Sequence, residues 1–289
     1  MKIRKAVIPA AGLGTRVLPA TKAIPKEMLP LADKPTIQYI IEEAVQSGIE
    51  HVIIVTSRTK RSIEDHFDET PELRAALERK GDRARLDMLE HIETMAQISF
   101  TRQPRPHGLG HAILMAKDLV GDEPFGVLLG DDLVVNRERP CLRQLMDVHE
   151  RHGGCVLAAM RVPHEQINRY GNIDPAGNVD ARTYRVRDLI EKPKPEEAPS
   201  DLAVIGRYVL TPDIFAALER TEPGAGDEIQ LTDGLRGLRE REPIFAYEFE
   251  GTRYDAGTTM GWLRATVDVA LGRADLAEEF RQHLRGLEL

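Results

Sequence analysis

Cysteine is almost missing: Cys141 and Cys155 are the only two among 289 residues, with no ligand-like spacing and no paired histidine motif. That excludes a disulfide framework and a zinc site and makes reduced thiols the expectation. No apolar run approaches the roughly eighteen residues of a membrane helix, so a cytoplasmic chain without a membrane span is expected. The basic start, Met1 to Lys5, followed by apolar residues, has the outline of a signal peptide. The run is short, contains Pro9 and leads into Gly-Leu-Gly-Thr-Arg, so it reads as a first core strand. A net charge of -8 argues against a broad nucleic-acid face, which would concentrate Lys and Arg. There is no internal repeat, no low-complexity tract and no Gly-x-x-x-x-Gly-Lys-Ser/Thr loop. At 42% hydrophobic and 30% charged, the chain is an ordinary globular one, long enough for one or two domains.

Acid is missing where base is concentrated. The first 26 residues hold Lys2, Arg4, Lys5, Arg16, Lys22 and Lys26 and no carboxylate, although even scattering of the 47 acids would place about four there. A cationic loop on an acidic chain needs an anionic ligand to explain it. In Gly12-Leu13-Gly14-Thr15-Arg16 the absent Cβ atoms let the N–H groups of Gly12 and Gly14 approach phosphate oxygens. Arg16 can fork onto the same oxygens, and Lys26 can act as a point charge from the far side of the loop. A tight turn with solvated cations would explain a lone Gly-x-Gly, but it accounts less well for Thr15, Arg16, Lys22 and Lys26 on one loop. A dinucleotide fingerprint would need a third glycine where Val17 stands, and an acid where the second strand ends in Thr56-Ser57, which disfavours a nicotinamide oxidoreductase.

Periodicity predicts strand, long loop, helix and strand over the first 56 residues. An apolar run covers 5–10, helical spacing places Ile37, Ile40, Ile41, Ala44 and Val45 before Gly48, and a β-branched run covers His51 to Thr56. Such a unit is a right-handed parallel crossover. Further apolar runs at 97–101, 125–129, 155–162 and 203–210 alternate with helical stretches near 109–119, 140–151 and 212–220. The expectation is an α/β fold, Rossmann-like, with a mixed, mainly parallel sheet flanked by helices. Between 163 and 200, Gly171, Gly177, Pro193, Pro195 and Pro199 suggest hairpins or loops laid over the sheet. Residues 259–271 and 275–287 look helical, the second with Leu276, Phe280, Leu284 and Leu287 on one stripe. Trp262 reads as core, and His111, at a helix start, as packing.

The loop motif Gly-Leu-Gly-Thr-Arg with Pro-Ala-Thr-Lys-Ala-Ile-Pro-Lys-Glu-Met-Leu-Pro resembles the signature of bacterial UTP:glucose-1-phosphate uridylyltransferases (UDP-glucose pyrophosphorylases), in the sugar-phosphate nucleotidyltransferase superfamily. The resemblance continues at Gln103 with Gly108-Leu-Gly-His-Ala, Gly130-Asp131-Asp132, Tyr170-Gly171, Glu191-Lys192-Pro193, Val204-Ile-Gly-Arg-Tyr-Val-Leu and Gly226-Asp-Glu-Ile-Gln-Leu-Thr-Asp233. Each piece alone is weak, whereas together they are specific and cover nearly the whole chain. The resemblance implies one nucleotide-diphospho-sugar transferase domain over 1–289, with a nucleotide half near 1–132, a sugar half near 133–258 and C-terminal helices near 259–289.

By that resemblance the reaction joins UTP and glucose 1-phosphate to give UDP-glucose and pyrophosphate with Mg²⁺. Asp131 holds the metal and Asp255 helps. The wider pattern often has Pro-Asp-Val where this chain has Gly-Asp-Asp, and Asp132 is read as a loop-capping carboxylate. Glu191 is implied to take sugar hydroxyls and Lys192 the sugar phosphate, although adjacent strand side chains point to opposite faces unless the backbone kinks. Gln103 and Gly108, with the backbones of Ala10 and Ala11, would read uracil and ribose, and Glu27 would contact the nucleoside. Tyr170-Gly171 and Ile205-Gly206 would offer main-chain groups to the hexose. A homodimer or homotetramer is implied. A dTTP-using thymidylyltransferase and a catalytically inactive regulatory paralogue are the alternatives; the second is disfavoured because Arg16, Lys26 and Asp131 are all present.

Overall fold

The computed structural model describes residues 2–136 and 138–287; the last two positions of the predicted C-terminal segment lie outside them. The chain opens with β1 (Lys5–Pro9), three single 3-10 turns (Thr15–Val17, Ala20–Lys22, Lys26–Met28), and a short hairpin of β2 (Pro30–Leu31) and β3 (Lys34–Pro35). Then come α1 (Thr36–Gln46), β4 (His51–Thr56), α2 (Arg61–Phe67), α3 (Pro71–Lys80), α4 (Arg83–Thr94) and β5 (Gln97–Arg102). The middle holds α5 (Leu109–Leu114), α6 (Lys117–Val120), β6 (Phe125–Leu128), β7 (Asp132–Val135), α7 (Cys141–His152) and β8 (Cys155–Arg161). It continues through β9 (Gly171–Asn178), β10 (Thr183–Glu191), β11 (Leu202–Leu210), α8 (Asp213–Leu218) and α9 (Leu231–Leu238) to β12 (Ile244–Glu248), β13 (Thr252–Asp255), α10 (Thr259–Gly272) and α11 (Ala277–Arg285).

Nine strands form one mixed sheet in the order β5-β4-β1-β6-β11-β8-β12-β10-β9. The run β5-β4-β1-β6 is parallel, as is β12 with β8, and the other pairings are antiparallel. The strands β1, β4, β6, β8 and β11 read as nearly unbroken apolar runs because both faces are covered. On β1 and β4, Val7, Ile53 and Val55 enter one core with α5, α8 and α9, while Ala6, Ile8, Val52 and Ile54 enter another with Ile37, Ile40 and Ile41 of α1. Burial of one such Ile side chain stabilises the fold by about 1.5–3 kcal/mol.

Two features position the site. First, β7 leaves the main sheet and pairs antiparallel with β13, so that Asp255 lies directly opposite Asp132 although 123 residues separate them in sequence. Second, the polar segment from 163 to 200 does not lie over the sheet, as its turn residues suggested. Its strands β9 and β10 extend the sheet beyond β12, and the edge curls back until Asn172 pairs with Ala203 of β11. Asn172 Nδ2 fixes the curl by donating to the carbonyls of Ser200 and Leu202 at 3.0 and 2.9 Å. Pro175 and the nearby register shifts supply the bend without interrupting the pairing.

Helix α11 buries only Ala277, leaving Leu276, Phe280 and Leu284 half-buried and Leu287 exposed. Trp262 is half-buried at the margin of the second core, and its Nε1 donates to the Pro30 carbonyl at 3.0 Å. Cys141 and Cys155 are both buried and unpaired. Among the described residues no helix is long and apolar enough to cross a membrane.

Candidate active site

The loop after β1 folds back over the carboxyl ends of β1, β4 and β6, where open α/β sheets bind ligands. Gly14 adopts φ 69°, and Thr21 Oγ1 donates to its carbonyl at 2.7 Å, which pins the turn. Ala10 and Ala11 are buried, Gly12 and Thr15 are exposed, and Arg16 projects from the first 3-10 turn.

Three of the predicted charged residues converge with a fourth. Lys26 Nζ lies 2.6 Å from Asp131 Oδ2, Arg16 Nη2 lies 3.4 Å from the same oxygen, and Arg16 Nη1 lies 3.3 Å from Asp255 Oδ2. Lys26 and Asp131 are sheltered, whereas the Arg16 side chain is more than half exposed and spans the two carboxylates from the solvent side. Burial pushes the Asp131 carboxyl up, but Lys26 and Arg16 outweigh it and hold the group below its ordinary value. Burial likewise opposes the Lys26 ammonium, and the Asp131 charge more than compensates, so its value is raised. Asp255 is pushed up by burial against the pull of Arg16 and Arg253. Gly257 closes this cluster: a Cβ there would come within 2.2 Å of Asp131 Oδ2 and 2.6 Å of Arg16 Nη2.

Glu27 has a different partner from the expected nucleoside. Its carboxylate is fully buried and accepts from Lys60 Nζ at 2.9 and 2.7 Å, a pairing that no sequence motif signalled. Burial pushes the Glu27 carboxyl up and the Lys60 ammonium down, each against the other's charge. The group as a whole is balanced, with Arg16, Lys26 and Lys60 against Glu27, Asp131 and Asp255.

Gln103 is buried, and its Nε2 donates to the Gly108 carbonyl and reaches His111 Nδ1, both at 3.0 Å. Because the carbonyl can only accept, Nε2 is a donor, and His111 Nδ1 must be an acceptor in a neutral ring. His111 therefore orients the Gln103 amide. Gly108 has φ 97°, and a Cβ on it would meet the Ile229 carbonyl oxygen at 2.7 Å. The backbone of Ile229 pairs with this loop through its N–H to His107 and its carbonyl to Gly110. The motif 226–233 thus buttresses the loop holding Gln103 and Gly108.

In the β9–β10 hairpin, Glu191 faces Gly171 across the ladder. Glu191 Oε2 accepts from Thr232 Oγ1 at 2.6 Å, and Lys192 Nζ lies 3.1 Å from Glu191 Oε1. Alternation would have sent these neighbours to opposite faces. Lys192 instead adopts φ 45°, a left-handed conformation costing about 1–3 kcal/mol in a non-glycine residue, and the kink brings both charges to one side. Ile205 and Gly206 sit in the irregular stretch of β11, between Val204 and Tyr208. The Gly206 main chain is not free to serve a hexose. Its N–H donates to Asp132 Oδ2 at 2.8 Å, and its carbonyl accepts from the Leu129 N–H and from Arg207, both at 2.9 Å. Arg207 is itself fully buried and paired with Glu43 at 2.7 Å.

The profile of the family described as nucleotidyl transferase matches residues 5–271. The chain belongs to that family. It is 52% identical over 286 residues to the UTP–glucose-1-phosphate uridylyltransferase of Bacillus subtilis (strain 168), with 99% of this chain and 97% of the relative covered. Among solved structures it is similar to a UDP-glucose pyrophosphorylase complexed with UDP-glucose, at TM-score 0.85 and 44% identity, covering 94% of this chain and 100% of that one. It is also similar to the UTP-bound UGPase from Acinetobacter baumannii, at TM-score 0.90 and 38% identity, covering 99% and 100%.

Within this nucleotidyl transferase frame, sequence reasoning missed Lys60, Thr232, Arg253 and Gly257. Thr232 lay inside a quoted motif and Gly257 two residues beyond Asp255, so both were within reach of it. Lys60 and Arg253 had no local signal, because each is defined by a partner more than thirty residues away.

Proposed function

We propose that the chain joins UTP and α-D-glucose 1-phosphate to give UDP-glucose and pyrophosphate, the activity its relative at 52% identity is named for. The observation that carries this reading is the convergence of Arg16 and Lys26 on Asp131 and Asp255 beside a glycine turn. A triphosphate adds strong negative charge to a cluster that is already balanced, so a divalent cation must accompany it. The residues fit Mg²⁺: two carboxylates meet at a single cationic centre, the Arg16 guanidinium. Among the described residues no group of three or more His, Cys, Asp or Glu could hold a metal. Asp131 and Asp255 would therefore hold the ion together with substrate oxygens and water, the usual mode for this cation. When bound, Mg²⁺ supplies Lewis-acid neutralisation of the nucleotide and sugar phosphates.

A phosphate oxygen of glucose 1-phosphate attacks the α-phosphorus of UTP in line, and the bond to the bridging oxygen breaks as pyrophosphate leaves. No covalent intermediate with the protein is needed, since the nucleophile is already ionised. What the chain supplies is alignment and charge stabilisation. Arg16 and Lys26 stabilise the departing pyrophosphate, with the N–H groups of Gly12 and Gly14 and the Thr15 hydroxyl alongside. Lys192 orients the attacking phosphate, and Glu191, steadied by Thr232, accepts from sugar hydroxyls. Gln103, Gly108, Ala10 and Ala11 recognise the uridine, while Glu27 and Lys60 brace the loop that carries Lys26. Tyr170, Gly171 and Ile205 border the sugar.

The same reading assigns the stretch near 1–132 to the nucleotide and that near 133–258 to the sugar, ahead of the C-terminal helices, in a cytoplasmic homodimer or homotetramer. Two buried unpaired thiols suit that reducing compartment, and light scattering measures the assembly. The deciding test is pyrophosphate release across a matrix of nucleoside triphosphates and sugar 1-phosphates, with and without Mg²⁺. UTP with glucose 1-phosphate and Mg²⁺ should give the fastest release. A clear preference for dTTP rejects the assignment, and no release with any pair favours a regulatory paralogue.

A further inference from the structure

The adjacent carboxylates Asp131 and Asp132 part company. Asp131 meets Lys26 and Arg16, whereas Asp132 is buried with its oxygens on the Gly206 N–H at 2.8 Å and on Arg253 Nε at 2.5 Å. A Cβ at position 206 would come within 2.6 Å of Asp132 Oδ2, so the glycine admits this carboxylate. Arg253 is largely buried, its Nη1 donates to the Tyr170 hydroxyl at 3.1 Å, and its guanidinium lies 5.4 Å from the centroid of the same ring. Tyr170 is thereby held at its hydroxyl and over its ring. Its own carbonyl accepts from the Lys192 N–H at 3.0 Å, at the residue where the chain kinks to bring Glu191 and Lys192 together. A continuous path therefore runs from the strand following Asp131, through Asp132, Arg253 and Tyr170, to the kink at Lys192.

We propose that Arg253 is a positioning residue for the sugar-phosphate subsite: anchored by Asp132, it fixes Tyr170 and through it the Glu191-Lys192 kink. This rests on the reading of Glu191 and Lys192 given under Proposed function. Arginine suits the task because its planar fork serves two acceptors in fixed directions, which a lysine cannot reproduce. Asp131 and Asp132 then divide the work, one serving the nucleotide phosphates and the other the placement of the second substrate.

The test uses the full chain and its Arg253→Lys, Tyr170→Phe and doubly substituted forms, with KM measured separately for each substrate at saturation of the other. Each single substitution should raise KM for glucose 1-phosphate about tenfold, the size of one misplaced hydrogen bond, with KM for UTP within about twofold. The double form should be no worse than Arg253→Lys alone, because both changes cut one path. Equal rises in both KM values, unchanged KM for the sugar phosphate, or additive effects overturn the positioning role while leaving the reaction assignment intact. Failure of the unaltered chain to make UDP-glucose overturns both. Tyr170→Phe removes a single hydroxyl, so it still decides the question through its KM split if Arg253→Lys fails to fold.

Discussion

Lys26 and Asp131, 105 residues apart in sequence, meet at 2.6 Å. Lys26 is presented by the loop after β1 and Asp131 by the turn after β6, and parallel pairing of those two strands brings their carboxyl ends together. Lys26→Met should lower turnover at least a hundredfold, the scale of losing one preorganised charged contact. Asp131→Asn should do likewise, and the double substitution should cost less than the product of the two, since the residues act as a unit. Steady-state rates of the three variants check this; simple multiplication of the losses would show independent roles.

Lys60 and Glu27 form an ion pair with almost no solvent contact. Lys60→Met should destabilise the fold by about 3–5 kcal/mol, because it strands a buried carboxylate. Lys60→Met with Glu27→Leu should recover most of that loss. Denaturant unfolding of both forms decides it, and a double substitution as unstable as the single would show that packing rather than charge governs the site.

Gly257 stands where a methyl group would strike Asp131, and Asp131 cannot retreat while Lys26 holds it. Gly257→Ala should reduce turnover more than tenfold and cost about 1–3 kcal/mol by overpacking. Gly237→Ala, on α9 with nothing within 4 Å of the new methyl, is the control and should stabilise by about 0.5–1 kcal/mol. Activity retained in Gly257→Ala would mean that the close approach has no catalytic consequence.

Burial, aided by the nearby His107, holds His111 below the ordinary histidine value. The unfolded chain therefore takes up the proton first. The stabilising contribution of neutral His111 is complete above the ordinary value and is lost as pH falls through the folded one. Protonation also converts Nδ1 from acceptor to donor and breaks its bond to Gln103. KM for UTP should thus rise as pH falls past the ordinary histidine value, about 6.5, and through the lower folded one, and His111→Gln should flatten that rise. An unchanged pH profile in the variant would place the titration elsewhere.

Lys192→Ala should depress turnover with glucose 1-phosphate far more than it weakens UTP binding, with a turnover loss of about a hundredfold and a UTP dissociation constant within about twofold by calorimetry. Comparable losses in both would reject its assignment to the sugar phosphate.

By itself the sequence determined what local physics decides. The β-branched run at His51–Thr56 is the strand found at those same residues, and the spacing of Ile37, Ile40 and Ile41 yields the helix Thr36–Gln46. The glycine turn with Arg16 and Lys26 stood out as a candidate anion site, because a patch of base without acid is a short-range feature. Tertiary structure alone decided who meets whom. The segment 163–200 joins the sheet because its edge pairing depends on partners in β11 and β12 that turn-rich composition does not reveal. Glu27 faces Lys60, Gly206 serves Asp132, and a left-handed Lys192 turns two neighbours to one side, each enforced by burial or backbone geometry that arises only when distant strands pack. Spacing along a chain fixes periodicity, whereas the direction of a buried charge is fixed by the one partner that can compensate its lost water.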